Sequence, residues 1–281
     1  YLARVWEYGG FYVWQWAKQS GALFAAPLML LALRRHTRYL TLALLLSAAY
    51  LLYTARVGGD FMGLHRFVMP LFVTTTLGAT LGLALLVGWI PRRARLIAGL
   101  GAAAVVLGIF GWTQSRLSRI AMVPRADHGI DRPGYLKLYT HDRALLGKAL
   151  RPLLRPDDFS IVGGTGVQPY YGRMRAVDVF GLVSEQIAHG VRAHNPRPGH
   201  QLWAPAGMLL STYKPTFIFH CYDLHHHPER YRICGEAGFF KSRGYEEVTM
   251  HVPGLRERGQ YYTFLKRRER EMIHPSILRP R

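Results

Sequence analysis

Across the first 113 residues, long apolar stretches alternate with short clusters of arginine. Four of them, at 10–33, 39–55, 67–90 and 96–113, approach the roughly 20 residues that a helix needs to cross a bilayer. Residues 40–52 and 67–90 contain no charge, and 96–112 is built mainly from Leu, Ile, Val, Ala and Gly. The pattern predicts four membrane helices. The first is interrupted by Lys18 and Gln19 and carries Pro27 as a point of kinking, although a lysine near a helix end can reach the interface. A buried helical hairpin in a soluble protein is the competing reading, and the length of the stretches argues against it.

After residue 113 the pattern changes. The charged, proline-containing segment 114–134 reads as a linker, and YLKLYTHDRALLGKALRPLL after it has apolar residues at helical spacing. Short apolar or alternating runs at 159–162, 176–180, 215–219, 246–252 and 261–265 predict strands, and 182–188 and 204–213 predict helices. The KRRERE run at 266–271 reads as a solvated charge run. Interleaved strands and helices indicate an α/β domain. The expected architecture is therefore a membrane α-helical region of about four transmembrane helices, residues 1–113, followed by a small soluble α/β domain, residues 135–281.

Charge sharpens the division and excludes disorder. The chain holds 36 Lys and Arg against 17 Asp and Glu, a formal net charge of +19, yet is 49% hydrophobic. Only 10 of the basic and two of the acidic residues, Glu7 and Asp60, lie before residue 114. Arg34, Arg35 and Arg38 follow the first stretch, and Arg92, Arg93 and Arg95 follow the third. By the positive-inside rule both clusters face the cytoplasm, so the 56–66 loop and everything after Trp112 lie outside. Tyr and Trp at the predicted helix ends agree with this placement. The expected location is a bacterial inner (cell) membrane, multi-pass, with the soluble domain extracytoplasmic. Tyr1 is preceded by no initiator Met and no segment resembles a secretory signal; the chain reads as a fragment of a longer protein. Membrane lipid is an expected partner of the basic residues, and nucleic acid is not. A transporter would want ionisable residues within its helices, and apart from Lys18 there are none in the predicted spans.

Cys221 and Cys234 are the only cysteines and lie 13 positions apart, a pattern that suits a disulfide in an oxidising compartment. Closing such a loop stabilises by about 3 kcal/mol on the chain-entropy model. The alternative is a divalent metal, because His220, Cys221, His225, His226 and His227 crowd together in HCYDLHHHPERYRIC. Their spacing matches no common zinc pattern well, and His220 with His225 is the pair most able to share an ion. No cofactor is otherwise implied.

The most informative short segment is RVGGDFMGLHR, residues 56–66. Asp60 is the one acid between Glu7 and Asp127, and Arg56, His65 and Arg66 flank it. A carboxylate beside cations at a membrane edge suits a lipid phosphate, with Asp60 taking sugar hydroxyls or holding an arginine. The plain alternative is a structural Asp60–Arg66 ion pair inside a turn. Val57-Gly58-Gly59-Asp60-Phe61-Met62 followed by Arg66 and Pro70 resembles the C-terminal membrane portion of polytopic bacterial glycosyltransferases of the GT-C architecture. More narrowly it resembles the terminal arabinofuranosyltransferases of mycobacterial-type cell walls. Val177-Asp178-Val179-Phe180-Gly181-Leu182, then Arg197-Pro198-Gly199-His200, Pro205 and Lys214-Pro215, continue the resemblance in order over about 55–220.

The resemblance implies a transferase that moves a sugar from a polyprenyl-phosphate donor to a cell-envelope glycan or lipid acceptor on the outer face. Enzymes of that architecture carry an acidic base in an early outward loop, which has no counterpart in this chain. The chemistry needs a carboxylate for the acceptor proton and cations for the departing phosphate. The candidates are Asp60 as catalytic or base-supporting carboxylate and Arg56, Arg66 and His65 as donor-phosphate partners. Asp178 and His200 are further candidates facing a cleft, against plainer roles as a helix cap and a turn residue. Gly163-Gly164-Thr165-Gly166 lacks the lysine of a phosphate loop. The rival function is a non-enzymatic, membrane-anchored domain that binds glycan or protein.

Overall fold

The computed structural model describes every residue except 1, 36, 125, 128–129, 165, 230–232 and 279–281. The chain divides into two compact units, Tyr1–Tyr135 with Pro196–Gly199, and Leu136–Asn195 with His200–Arg281. The first contains α1 (Leu2–Gln19), α2 (Ala22–Leu33), α3 (Thr37–Arg56), α4 (Met69–Gly88) and α5 (Arg92–Ala121). Among the described residues three stretches are long and apolar enough to cross a membrane: Arg38–Arg56, Arg66–Gly88 and Arg92–Ala121. At about 1.5 Å per residue they extend roughly 28, 34 and 45 Å. Along α5, Leu96, Ile97, Leu100, Val105, Leu107 and Phe110 are all exposed. So continuous an apolar surface calls for lipid rather than water.

The predicted first span is corrected. The 10–33 stretch is not one helix, because it breaks at Ser20 and Gly21. α1 is amphipathic, burying Val5, Gly9, Tyr12 and Trp16 at helical spacing. α2 is apolar all round, but its 12 residues reach only about 18 Å, short of a core of ~30 Å. It packs against α4 instead. A Cβ on Gly82 would lie 2.0 Å from the Leu28 carbonyl oxygen, and one on Gly78 2.7 Å from Met29 Cγ. Two small residues four apart let the helix backbones meet at a distance no larger side chain permits. The predicted linker is corrected as well. α5 runs on to Ala121, burying Thr113, Leu117 and Ala121 on one face, because TQSRLSRIA has no Gly or Pro to stop it. Two short antiparallel strands follow, β1 (Ala126–Asp127) and β2 (Ile130–Asp131).

The second unit contains all but the first turn of α6 (Pro133–Leu150), and β3 (Phe159–Val162), α7 (Val167–Gly172), β4 (Arg175–Asp178), α8 (Glu185–Gly190) and α9 (Ala206–Tyr213). β5 (Phe217–His225), α10 (Ala237–Ser242), β6 (Tyr245–His251), β7 (Tyr261–Arg267) and β8 (Ile277–Leu278) complete it. The mixed six-stranded sheet has the order β4-β3-β5-β7-β6-β8. β4, β3 and β5 are parallel, and the remaining pairs are antiparallel. Side-chain alternation gives the sheet two apolar faces. Val162, Phe217, Phe219, Tyr262 and Phe264 meet Leu146 and Leu150 of α6 on one. Ile161, Val177, Ile218 and Leu265 meet Ile187 of α8, Leu209 of α9 and Phe240 of α10 on the other. Helices on both faces of a sheet make this an α/β unit.

One sequence reading is corrected in part here. KRRERE is solvated at Arg268, Glu269 and Glu271, but Lys266 lies buried in β7, and Arg270 donates to both Asp158 oxygens at 3.1 and 2.9 Å and to Leu153 O at 3.0 Å. Asp142 of α6 is fully buried and accepts from the Arg256 and Glu257 amides at 3.0 and 2.8 Å. Next to it, Arg143 is sandwiched between the Tyr139 and Tyr222 rings, 4.6 and 4.1 Å from their centres, and faces Glu257 at 3.6 Å. Two adjacent α6 residues thus hold the loop between β6 and β7. Within the glycine-rich segment after β3, Thr165 lies outside the described residues.

Candidate functional site at the α3–α4 loop

The loop between α3 and α4 starts where α3 closes through Gly58 N–H to Ala55 O at 3.2 Å and Gly59 N–H to Thr54 O at 2.8 Å. Gly59 has φ 76°, and a Cβ there would stand 2.6 Å from Tyr12 Cβ. Only glycine meets both conditions. The turn delivers Asp60 to a position 2% exposed. Its Oδ1 accepts from Met62 N at 3.2 Å and Arg66 Nη2 at 3.1 Å, and its Oδ2 accepts from Arg66 Nε. The carboxylate therefore grips one edge of the guanidinium in a two-point fork. The Arg66 side chain remains about half exposed (49%) and its guanidinium lies 5.6 Å from the centre of the Phe67 ring.

Leu64 and His65 both take left-handed backbone angles, φ 68° and 53°. Such angles cost an L-residue of order 1 kcal/mol or more, and they collect where surrounding structure holds a functional segment in place. His65 Nε2 lies 2.9 Å from Gln19 Oε1, its ring meets Tyr12 edge-on at 5.6 Å, and its Nδ1 is buried without a hydrogen-bond partner. Burial pushes the imidazole down to about 4. It is neutral near pH 7, a hydrogen-bonding group rather than one of the loop's cations. Tyr12, Gln15, Gln19, His65, Arg132 and Pro133 are among the residues lining a cleft beside the loop.

Asp131, which sequence reasoning passed over, pins the loop from below. Its carbonyl accepts from Gly63 N at 2.8 Å, its N–H donates to Phe61 O, and its Oδ2 accepts from Arg197 Nη2 at 2.9 Å. Gly199 follows, so close that a Cβ on it would lie 2.6 Å from the Phe61 ring. Two segments of the glycosyltransferase resemblance, GGDFM and RPG, thereby meet in the membrane unit. No known protein family, curated protein or solved structure matches this chain.

The other sequence candidates fall elsewhere. Arg56 is exposed at the end of α3 and is not a partner of Asp60. Asp178 does not face a cleft. It is fully buried, with Oδ2 accepting from Leu182 N at 3.0 Å and Oδ1 from Val183 N at 3.1 Å, so it shapes the turn ahead of α8. Ser184 caps that helix through Ile187 N at 3.3 Å. His200 is half-buried and lies edge-on to Phe180 at 4.5 Å. Both belong to the α/β unit. Cys221 and Cys234 are joined by a disulfide there. His225, half of the metal pair favoured from sequence, instead bonds Thr263 Oγ1 through Nε2 at 2.8 Å.

Proposed function

We propose that this chain is the C-terminal part of an integral-membrane glycosyltransferase. It transfers a sugar, arabinofuranose on the narrower resemblance, from a polyprenyl-phosphate donor to a cell-envelope glycan or lipid at the outer face of a bacterial membrane. The observation that carries the reading is Arg66: a half-exposed guanidinium at the mouth of an apolar helix, oriented by a buried carboxylate. Arginine presents a planar fork that fits phosphate oxygens, and a partner on one edge leaves the rest for a second anion.

In the transfer, an acceptor hydroxyl oxygen bonds to the anomeric carbon while the bond from that carbon to the phosphate oxygen breaks. The hydroxyl proton goes to a base, and the pair from the broken bond leaves on the polyprenyl phosphate. Arg66 stabilises the charge on that leaving phosphate. Asp60 acts as the supporting carboxylate, since Arg66 and the Met62 amide occupy its oxygens. The same occupancy favours the anchored binding domain as the second reading, in which the pair is only a turn device.

Transfer of radiolabelled sugar from polyprenyl-phosphate donors, in membranes of cells expressing the encoding gene, separates the two. Arg66→Ala lowers transfer about 10²-fold at unchanged protein level, the loss typical of one oxyanion-stabilising donor, and Asp60→Asn lowers it less. Full activity in both variants would reduce the loop to a structural turn. Absence of transfer by the wild type from every donor would favour the anchored domain.

A further inference from the structure

In the α/β unit, four potential metal-ligand atoms converge: one each from His220 and Cys221 in β5 and from Cys234 and Glu236 ahead of α10, all within 4.8 Å of one another. His220 Nε2 lies 3.6 Å from Cys221 Sγ and 3.4 Å from Glu236 Oε2. Tetrahedral zinc, with Zn–S near 2.3 Å and Zn–N and Zn–O near 2.0–2.1 Å, sets an N···S edge of about 3.6 Å and an N···O edge of about 3.3 Å. Both spacings are already present. The S···S edge, about 3.8 Å in that tetrahedron, departs, because the two sulfurs are bonded to each other.

The surroundings suit an enclosed site. The His220 side chain is fully buried, with Trp203 and Phe240 edge-on at 5.5 and 5.7 Å. Trp203 Nε1 donates to Glu236 Oε2 at 3.3 Å, the kind of outer hydrogen bond that orients a ligating carboxylate.

We infer that His220, Cys221, Cys234 and Glu236 form a redox-gated zinc site, closed by the disulfide and opened by reduction. A dithiol donor gives two electrons and two protons to the Cys221–Cys234 bond, becoming a disulfide itself and leaving two protein thiols. Zn(II) then displaces a proton from each thiol and takes two thiolates, the imidazole nitrogen and a carboxylate oxygen. With all four positions filled by protein, the site is of the structural kind.

The test uses the full chain, untagged and in detergent micelles, with Zn(II) measured after gel filtration and Co(II) as a spectroscopic probe. A phosphine reductant opens the disulfide without chelating the metal. The reduced chain is expected to hold one zinc and to give the visible bands of tetrahedral thiolate-bound cobalt, while the oxidised chain holds none. Cys234→Ser is expected to abolish stoichiometric binding. Glu236→Gln, conservative and partly exposed, weakens it at least about tenfold. Replacing the exposed His226 and His227 by Ala leaves it unchanged. Should the reduced chain unfold without zinc and refold with it, the site stands. Absence of stoichiometric zinc on the reduced chain overturns the inference, as would unchanged binding in Cys234→Ser or Glu236→Gln, or loss on removing His226 and His227.

Discussion

The strongest local commitments in the chain are buried ionisable side chains, each stabilised differently. His65 is kept neutral by burial, at about 4, against about 6.5 in an unfolded chain. Between those values the unfolded state binds the extra proton, so this residue's contribution is complete above pH 6.5 and is lost as pH falls toward 4. Lowering pH from 7 to 5 is expected to remove about 2 kcal/mol. His65→Gln is expected to flatten that part of the profile relative to wild type in denaturant melts of the micellar chain; an unchanged profile would show His65 to be solvated. Asp158 works in the opposite sense. Burial opposes its ionisation, but hydrogen bonds from Arg270 and the Arg155 amide outweigh this and hold its carboxyl below the ordinary range. Its contribution is present above about pH 4 and lost as pH falls through the lower folded value. Asp158→Asn leaves Arg270 buried without its charge partner and is expected to cost about 3 kcal/mol in thermal melts. Little effect would mean that Arg270 too is solvated. Asp60 stood out in the sequence because it is isolated among apolar residues, and Arg66 because it is near. Asp131 did not, since its role is half backbone register, which no side-chain pattern announces.

Between helices, what the sequence displayed was composition, and what it hid was interruption. The 10–33 stretch has the apolar content of one span, but content averaged over a window does not register the break at Ser20 and Gly21 that makes two helices of it. The continuation of α5 to Ala121 is legible in principle, because no Gly or Pro stands between Trp112 and Pro124, although the segment is polar. Gly78 and Gly82 were legible too, as a small-xxx-small pair. Their backbone neighbours make a sharp expectation. Gly82→Leu must push α2 off α4 and is expected to destabilise by about 1–3 kcal/mol or more, as overpacking does. Gly101→Leu in α5, where a Cβ meets nothing within 4 Å, should be nearly neutral. Thermal unfolding in micelles compares the two, and equal effects would contradict the α2–α4 contact. The strands of the α/β unit were the most readable part, because short runs rich in apolar and aromatic residues coincide with nearly continuous burial in β3 and β7.

For the molecule as a whole, the contrast between an almost acid-free apolar half and a mixed-charge half falls at residue 113, whereas the structure divides into its two compact units at Tyr135, with Pro196–Gly199 joining the first. The proposed function is less legible, because the loop that carries it is held across distant segments, GGDFM with RPG through Asp131, rather than by one motif. If the α3–α4 loop is a lipid-phosphate site, the chain itself binds the polyprenyl phosphate that a transfer would release, whether or not it carries the catalytic base. The decisive measurement is titration of the micellar chain with polyprenyl phosphate, by native mass spectrometry, for wild type, Arg66→Ala and Arg66→Lys. The account predicts saturable binding to the wild type, about 10–100-fold weaker in Arg66→Ala, as expected for charged hydrogen bonds of about 1.5–3 kcal/mol, with Arg66→Lys between them. Equal affinity in all three chains, or no saturable binding by the wild type, would contradict it.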